Sequence, residues 1–142
     1  YRAMAFLEDT IVPLEHYGEF LAALESILDD YDMTYTYAGH IGDGSIRLVP
    51  LVNMEEEHAA ERVMELEKRV NELVFAFGGS MSVDHNDGII RTPFLEEMYG
   101  PEMNHLFKQV KHIFDPQNIF NPGKKVGGTY KYAVDHIVRT NT

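Results

Sequence analysis

The sequence predicts an α+β fold, an antiparallel sheet with helices on one face. Three observations carry that reading. Apolar residues recur at three- and four-residue spacing over long stretches. Short Thr-, Tyr- and Val-rich stretches lie between them. The resulting order is strand, helix, two strands, helix, possible strand, helix. A ferredoxin-like topology fits this order. With 142 residues, 44% of them hydrophobic and 25% charged, the chain is expected to form one domain with a real core.

Each element has a local reason. Ala3 to Val12 mixes apolar and acidic residues before Pro13 and reads as a strand. Pro13 suits the first turn of a helix, whose stripe is Tyr17, Phe20, Leu21, Leu24, Ile27, Leu28 and Tyr31. Met33–Ala38 and Ile46–Val52 read as strands. Gly42-Asp43-Gly44 between them could close a hairpin. Met54 to Phe77 predicts a long helix with Val63, Leu66, Val70, Leu73, Val74 and Phe77 inward, ended by Gly78-Gly79. Ser80–Val83 reads as a short strand and Pro93–Tyr99 as a short helix. From Pro101 a further helix is expected, with Met103, Leu106, Phe107, Val110, Ile113 and Phe114 inward. Asp115-Pro116 stops it, Asn121-Pro122-Gly123 turns, and Tyr130–Arg139 could form a last helix.

Composition excludes several functions. There is no cysteine, hence no disulfide, thiolate metal site or Cys nucleophile. No apolar run approaches the roughly 18 residues of a membrane span. A net charge of −11 argues against a nucleic-acid partner. Residues 108–142 hold six bases and two acids, a balance of +4 that leaves −15 on the rest. Such a tail can fold back on its own acidic body or meet an anionic neighbour.

Two polar clusters stand out: Gly39-His40-Ile41-Gly42-Asp43-Gly44-Ser45-Ile46-Arg47, and Ser82-Val83-Asp84-His85-Asn86-Asp87-Gly88-Ile89-Ile90-Arg91. Neither is patterned as an amphipathic element, and each carries a His, an Asp, a Gly and an Arg. Together they suggest a site built from two loops. The remaining histidines, His16, His58, His105, His112 and His136, read as surface or core residues. No phosphate-binding P-loop and no HExxH zinc motif occur. Asp84–Gly88 starts like a calcium loop, but Gly88 falls one position early and Leu95 sits where the bidentate Glu belongs.

His40 and Asp84-His85 could share a divalent cation. Alternatively His85 serves as general base. Arg47 and Arg91 offer planar forks for a carboxylate. A base with arginines is suited to oxidising a 2-hydroxy acid, with hydride leaving to an acceptor. No acceptor-binding motif is recognisable, which fits a fragment of a longer chain, as does an opening on Tyr1.

The sequence resembles the C-terminal substrate or cap domain of FAD-linked oxidases of the vanillyl-alcohol oxidase type. These include the glycolate oxidase D-subunit, D-lactate dehydrogenase and D-2-hydroxyglutarate dehydrogenase. Four segments carry the likeness in order. Leu7–Pro13 resembles the family's strand leading into a helix. Gly39–Ser45 resembles GHxGDGN, Asp84-His85 the Glu-His of EHGxG, and Phe114–Lys124 the closing DPxxxxNPGK. The resemblance implies a flavoenzyme whose upstream domain holds FAD and whose tail, 121–142, contacts that domain, with Asn121 near the cofactor. It implies oxidation of a small hydroxy acid such as glycolate or D-lactate, with hydride passing to the flavin and the isolated fragment inactive. His85 corresponds to the base, His40 and Asp84 to metal ligands, and His40, Arg47 and Arg91 are expected at the substrate. Arg47 stands where a second ligand His is found, Asp84 is one methylene shorter than Glu, and Asn86 replaces a Gly. A guanidinium cannot bind a cation, so Arg47's charge is the natural substitute for the metal's. The Asp-His-Asn-Asp-Gly-x-x-Arg form also resembles the branch fused to iron–sulfur domains, so an iron–sulfur or other electron-transfer partner is expected. The expected location is the cytoplasm, or its membrane periphery. Rival readings are a stand-alone ferredoxin-like ligand-binding or regulatory module, and a metal-dependent hydrolase using His40, Asp84 and His85.

Overall fold

A computed structural model describes residues 1–137. They group into two compact units, Tyr1–His85 and Asn86–Ile137.

The first unit is built on an antiparallel sheet: β1 (Arg2–Ala3), β2 (Leu7–Ile11), β3 (Tyr35–Ala38) and β4 (Ser45–Val52). Leu48 of β4 pairs with Leu7 of β2 on one edge and with Tyr37 of β3 on the other. The far end of β4 pairs with β1, Val52 opposite Arg2. Beyond β2, Ser80 makes a single antiparallel bridge to Ile11. Across the sheet the order is therefore the Ser80 bridge, β2, β4, β3, the ferredoxin-like order. The expected strand at Ser80–Val83 shrinks to that one bridge. The expected strand Ala3–Val12 splits into β1 and β2.

Helices α1 (Tyr17–Asp29) and α2 (Ala59–Ala76) pack against each other, and α2 packs on β2. Helix α1 buries Phe20, Leu24 and Leu28, one residue per turn. Helix α2 buries Val63, Met64, Leu66, Val70 and Val74. It starts later than its periodicity suggests. Asn53 accepts the Glu55 N–H, and His58 takes a left-handed φ of 64° just before the first turn. The hairpin turn between β3 and β4 is a 3-10 turn, Ile41–Asp43, closed by Gly44 at φ 79°. A side chain at Gly44 would collide with the Val12 carbonyl, so only glycine fits.

The second unit contains α3 (Gly88–Arg91), α4 (Leu95–Phe114) and α5 (Tyr130–His136). The two helices expected from the sequence are the two segments of α4. Gly100, at φ 80° and ψ 163°, breaks it and Pro101 starts its second segment. One expectation is reversed here. Met103, Leu106, Val110, Ile113 and Phe114 are 42%, 49%, 55%, 71% and 80% exposed, not inward. Ile119 and Phe120 beyond them are also exposed. The periodicity specifies an apolar face; it does not specify that the cover lies within the same unit. Helix α5 is capped by the Thr129 hydroxyl, which accepts the Tyr132 N–H, and it buries Ala133. The expected end of this helix at Arg139, and the last part of the 121–142 tail, lie outside the described residues. Among the described residues no helix is long and apolar enough to cross a membrane.

Candidate functional site

A defect in the sheet organises the first unit's polar loops. Leu7 pairs with Leu48 and Thr10 with Ile46, so Glu8 and Asp9 together face the single residue Arg47. This two-against-one arrangement is a β-bulge, which re-aims side chains that strict alternation would send to opposite faces. Asp9 takes a φ of 73°, a conformation Asp tolerates better than most residues.

The bulge serves the loop at His85. Asp9 is 2% exposed, and its two carboxylate oxygens accept the backbone N–H groups of Asp84, at 2.7 Å, and His85, at 3.0 Å. On the other side of the loop the Ser82 hydroxyl donates to the His85 carbonyl at 2.9 Å. The His85 backbone is thus held at both its N–H and its C=O. The ring itself remains 42% exposed, with Nδ1 3.3 Å from Glu8 Oε1. Arg47 reaches across 37 positions of sequence to donate from Nη2 to Asp84 Oδ2 at 3.0 Å. Both partners of that pair are accessible, so its stabilisation is small, on the order of 0–1 kcal/mol. Its consequence is placement of a guanidinium beside the residue that precedes His85.

Arg47, Asp84 and His85 are therefore brought together. His40 lies two residues beyond Ala38, which pairs with Arg47 in the sheet. Its ring is exposed, and its backbone carries the loop, accepting from the N–H groups of Asp43 and Ser45. Arg91 belongs to the second unit, where it is 6% exposed and donates to the Asn86 carbonyl at 2.9 Å. Asn121 is exposed in a left-handed turn, φ 48°, and its carbonyl accepts the Lys124 N–H. Asp87, beneath Arg91's turn, pairs with Lys125. Glu8 and Asp9 were missed as site residues by sequence reasoning. The available signal was a pair of adjacent acids in a strand that is otherwise apolar or Thr.

As a cation site the donor set fits poorly. Among the described residues no three His, Cys, Asp or Glu side chains converge, and Asp84 already faces a guanidinium. In the second unit, after α4, Asp115 accepts the N–H groups of Ile119 and Phe120 and pairs with Lys111, whose ammonium, followed by those N–H groups, holds its carboxyl below the usual range. This folds the segment that leads into the Asn121 turn.

Residues 1–125 match the family described as FAD linked oxidases, C-terminal domain. Among curated proteins, the chain is 32% identical over 123 residues to D-2-hydroxyglutarate dehydrogenase of Pseudomonas putida, covering 87% of this chain and 12% of that protein. It is 34% identical over 118 residues to D-lactate dehydrogenase of Archaeoglobus fulgidus, covering 83% of this chain and 26% of that protein. It is 31% identical over 118 residues to the glycolate oxidase subunit GlcD of Bacillus subtilis, covering 83% and 25%. The chain thus spans between 12% and 26% of the length of these relatives.

Proposed function

The chain belongs to the family of FAD linked oxidases, C-terminal domain, and from that premise we propose that it forms the substrate side of an FAD-dependent dehydrogenase of 2-hydroxy acids. The observation that carries the proposal is the hydrogen-bonded backbone and accessible ring of His85, next in sequence to Asp84, which holds the Arg47 guanidinium. FAD, held by the remainder of the polypeptide, supplies the two-electron acceptor. His85 takes the hydroxyl proton through Nε2 while the hydrogen on the substrate's C2 leaves as hydride, and a 2-oxo acid forms. Arg47 offers its remaining donors to the substrate carboxylate, and the exposed His40 ring offers one more. Arg91 is assigned the support of the Asn86 turn, given its burial.

Arg47 also bears on the divalent-cation reading of His40 and Asp84. Its charge sits on Asp84, where a metal would, and no step here needs a metal. The exposed face of α4, with Ile119 and Phe120, and the basic segment from Asn121 onward are proposed to meet the FAD-binding region, Asn121 lying nearest the cofactor. A cytoplasmic or membrane-peripheral setting and an electron-transfer partner complete the proposal.

The test uses the full-length flavoenzyme. Under anaerobic conditions, glycolate, D-lactate and D-2-hydroxyglutarate are mixed with it in turn and flavin absorbance is followed. Bleaching by at least one is expected. Absence of bleaching by any of these 2-hydroxy acids would overturn the proposal.

A further inference from the structure

The His85 ring has an acidic neighbour. The bulge in β2 places Glu8 against the ring, with Oε1 3.3 Å from Nδ1, while Asp9 holds the backbone beneath. Glu8 is 29% exposed, so its carboxylate is partly shielded from water. Strict strand alternation would point Glu8 and Asp9 to opposite faces. The extra residue opposite Arg47 lets both serve one loop, which is a structural reason for the bulge to exist.

We propose that Glu8 is a positioning residue for His85, accepting a hydrogen bond from Nδ1–H and so leaving Nε2 as the lone-pair nitrogen that faces substrate. The inference rests on the reading of His85 as the base. A ring nitrogen's protonation is set by what its opposite nitrogen binds. A carboxylate at Nδ1 selects the Nδ1–H form and then stabilises the imidazolium that appears once Nε2 has taken the substrate's hydroxyl proton. The carboxylate neither gains nor loses a proton in the step. Without Glu8 the ring is free to rotate and to carry its proton on Nε2, where it cannot act as a base. The Arg47–Asp84 pair cannot replace it, because Asp84's carboxylate is already engaged by the guanidinium.

The test again uses the full-length flavoenzyme. Glu8→Ala should slow flavin reduction by substrate about 10- to 10²-fold, at the low end of what a general base supplies. The substrate concentration for half-maximal reduction should change less than about threefold, since the interaction is made through His85 rather than with substrate. Glu8→Gln, which keeps an acceptor without the charge, should recover part of the loss. In a His85→Ala background, Glu8→Ala should have no further effect. A residue that merely stabilises the fold would still act in that background. Independently of turnover, nitrogen NMR of histidine-labelled enzyme should show His85 protonated on Nδ1 in the parent and on Nε2 in Glu8→Ala. Equal reduction rates in parent and Glu8→Ala, additivity in the double variant, or an unchanged ring signal would each overturn the inference. If the parent enzyme bleaches with no hydroxy acid, the proposed function fails, and with it the catalytic meaning of the contact. An unchanged ring signal in an active parent sinks the Glu8 contact alone.

Discussion

Replacing Asp9 with Asn tests whether the bulge holds the His85 loop. The carboxylate accepts two backbone N–H groups, at 2.7 Å and 3.0 Å, in a site 2% exposed to solvent. A hydrogen bond to a charged acceptor contributes roughly 1.5–3 kcal/mol. Asn keeps one acceptor oxygen but turns an amide NH2 toward the other N–H, leaving buried donors face to face. It also tolerates the left-handed φ of 73°, so backbone strain is not a confounder. The expected loss is about 2–4 kcal/mol, one bond lost and the other weakened. Urea denaturation of the chain should show the midpoint falling by about 1–2 M for an ordinary urea slope. Hydrogen exchange should place the loss at the amides of Asp84 and His85, with the α2 amides Val63–Val74 remaining protected. A stability loss within the range of a neutral surface substitution, about 0.5 kcal/mol, or unchanged protection at those two amides, would show that Asp9 does not hold the loop.

Three further outcomes follow from the same geometry. Asp115's carboxyl is held low by Lys111 and by the N–H groups of Ile119 and Phe120, so its stabilisation is present above the unfolded carboxylate value of about 3.9 and is lost as pH falls through the lowered folded value. Fluorine NMR of a probe near Phe120 should report loosening of the 115–120 turn only below about pH 4, and Asp115→Asn should loosen it at neutral pH. Chelator treatment should leave flavin reduction unchanged, whereas Arg47→Ala should weaken substrate binding about tenfold or more, the loss of a charge-assisted contact; dependence on added divalent cation would contradict this. Phe114→Asp, on an 80% exposed residue, should leave the chain's stability within about 0.5 kcal/mol while weakening its association with a separately expressed FAD-binding region; unchanged association would place that interface elsewhere.

Much of the fold was legible in the sequence because it depends on periodicity. The stripes Phe20-Leu24-Leu28 and Val63-Leu66-Val70-Val74 are one face of a helix each, and both faces are buried. The β3–β4 hairpin follows from Gly42-Asp43-Gly44 between two β-prone runs. The departures come from tertiary decisions. Nothing in Glu8-Asp9 marks a two-for-one register, since the bulge exists to meet a loop some 75 residues later. Gly100-Pro101 signals a break, and the helix is interrupted there, at Gly100. Met103 through Phe114 has the spacing of a core face and yet is exposed, because periodicity marks an apolar face and does not by itself bury it. At the site, the two polar clusters contain Arg47, Asp84 and His85, and one residue from each, Arg47 and Asp84, form an ion pair. The acids that support them were hidden inside what looked like ordinary strand.

His85 is proposed as the base of a flavin-linked 2-hydroxy-acid oxidation. The most direct measurement is the rate of anaerobic flavin reduction in the full-length His85→Ala enzyme, mixed with the hydroxy acid that bleaches the parent fastest. Loss of a general base should slow that reduction by roughly 10²-fold or more, with flavin content unchanged. A His85→Ala enzyme that reduces its flavin at the parent's rate would assign the proton to another group.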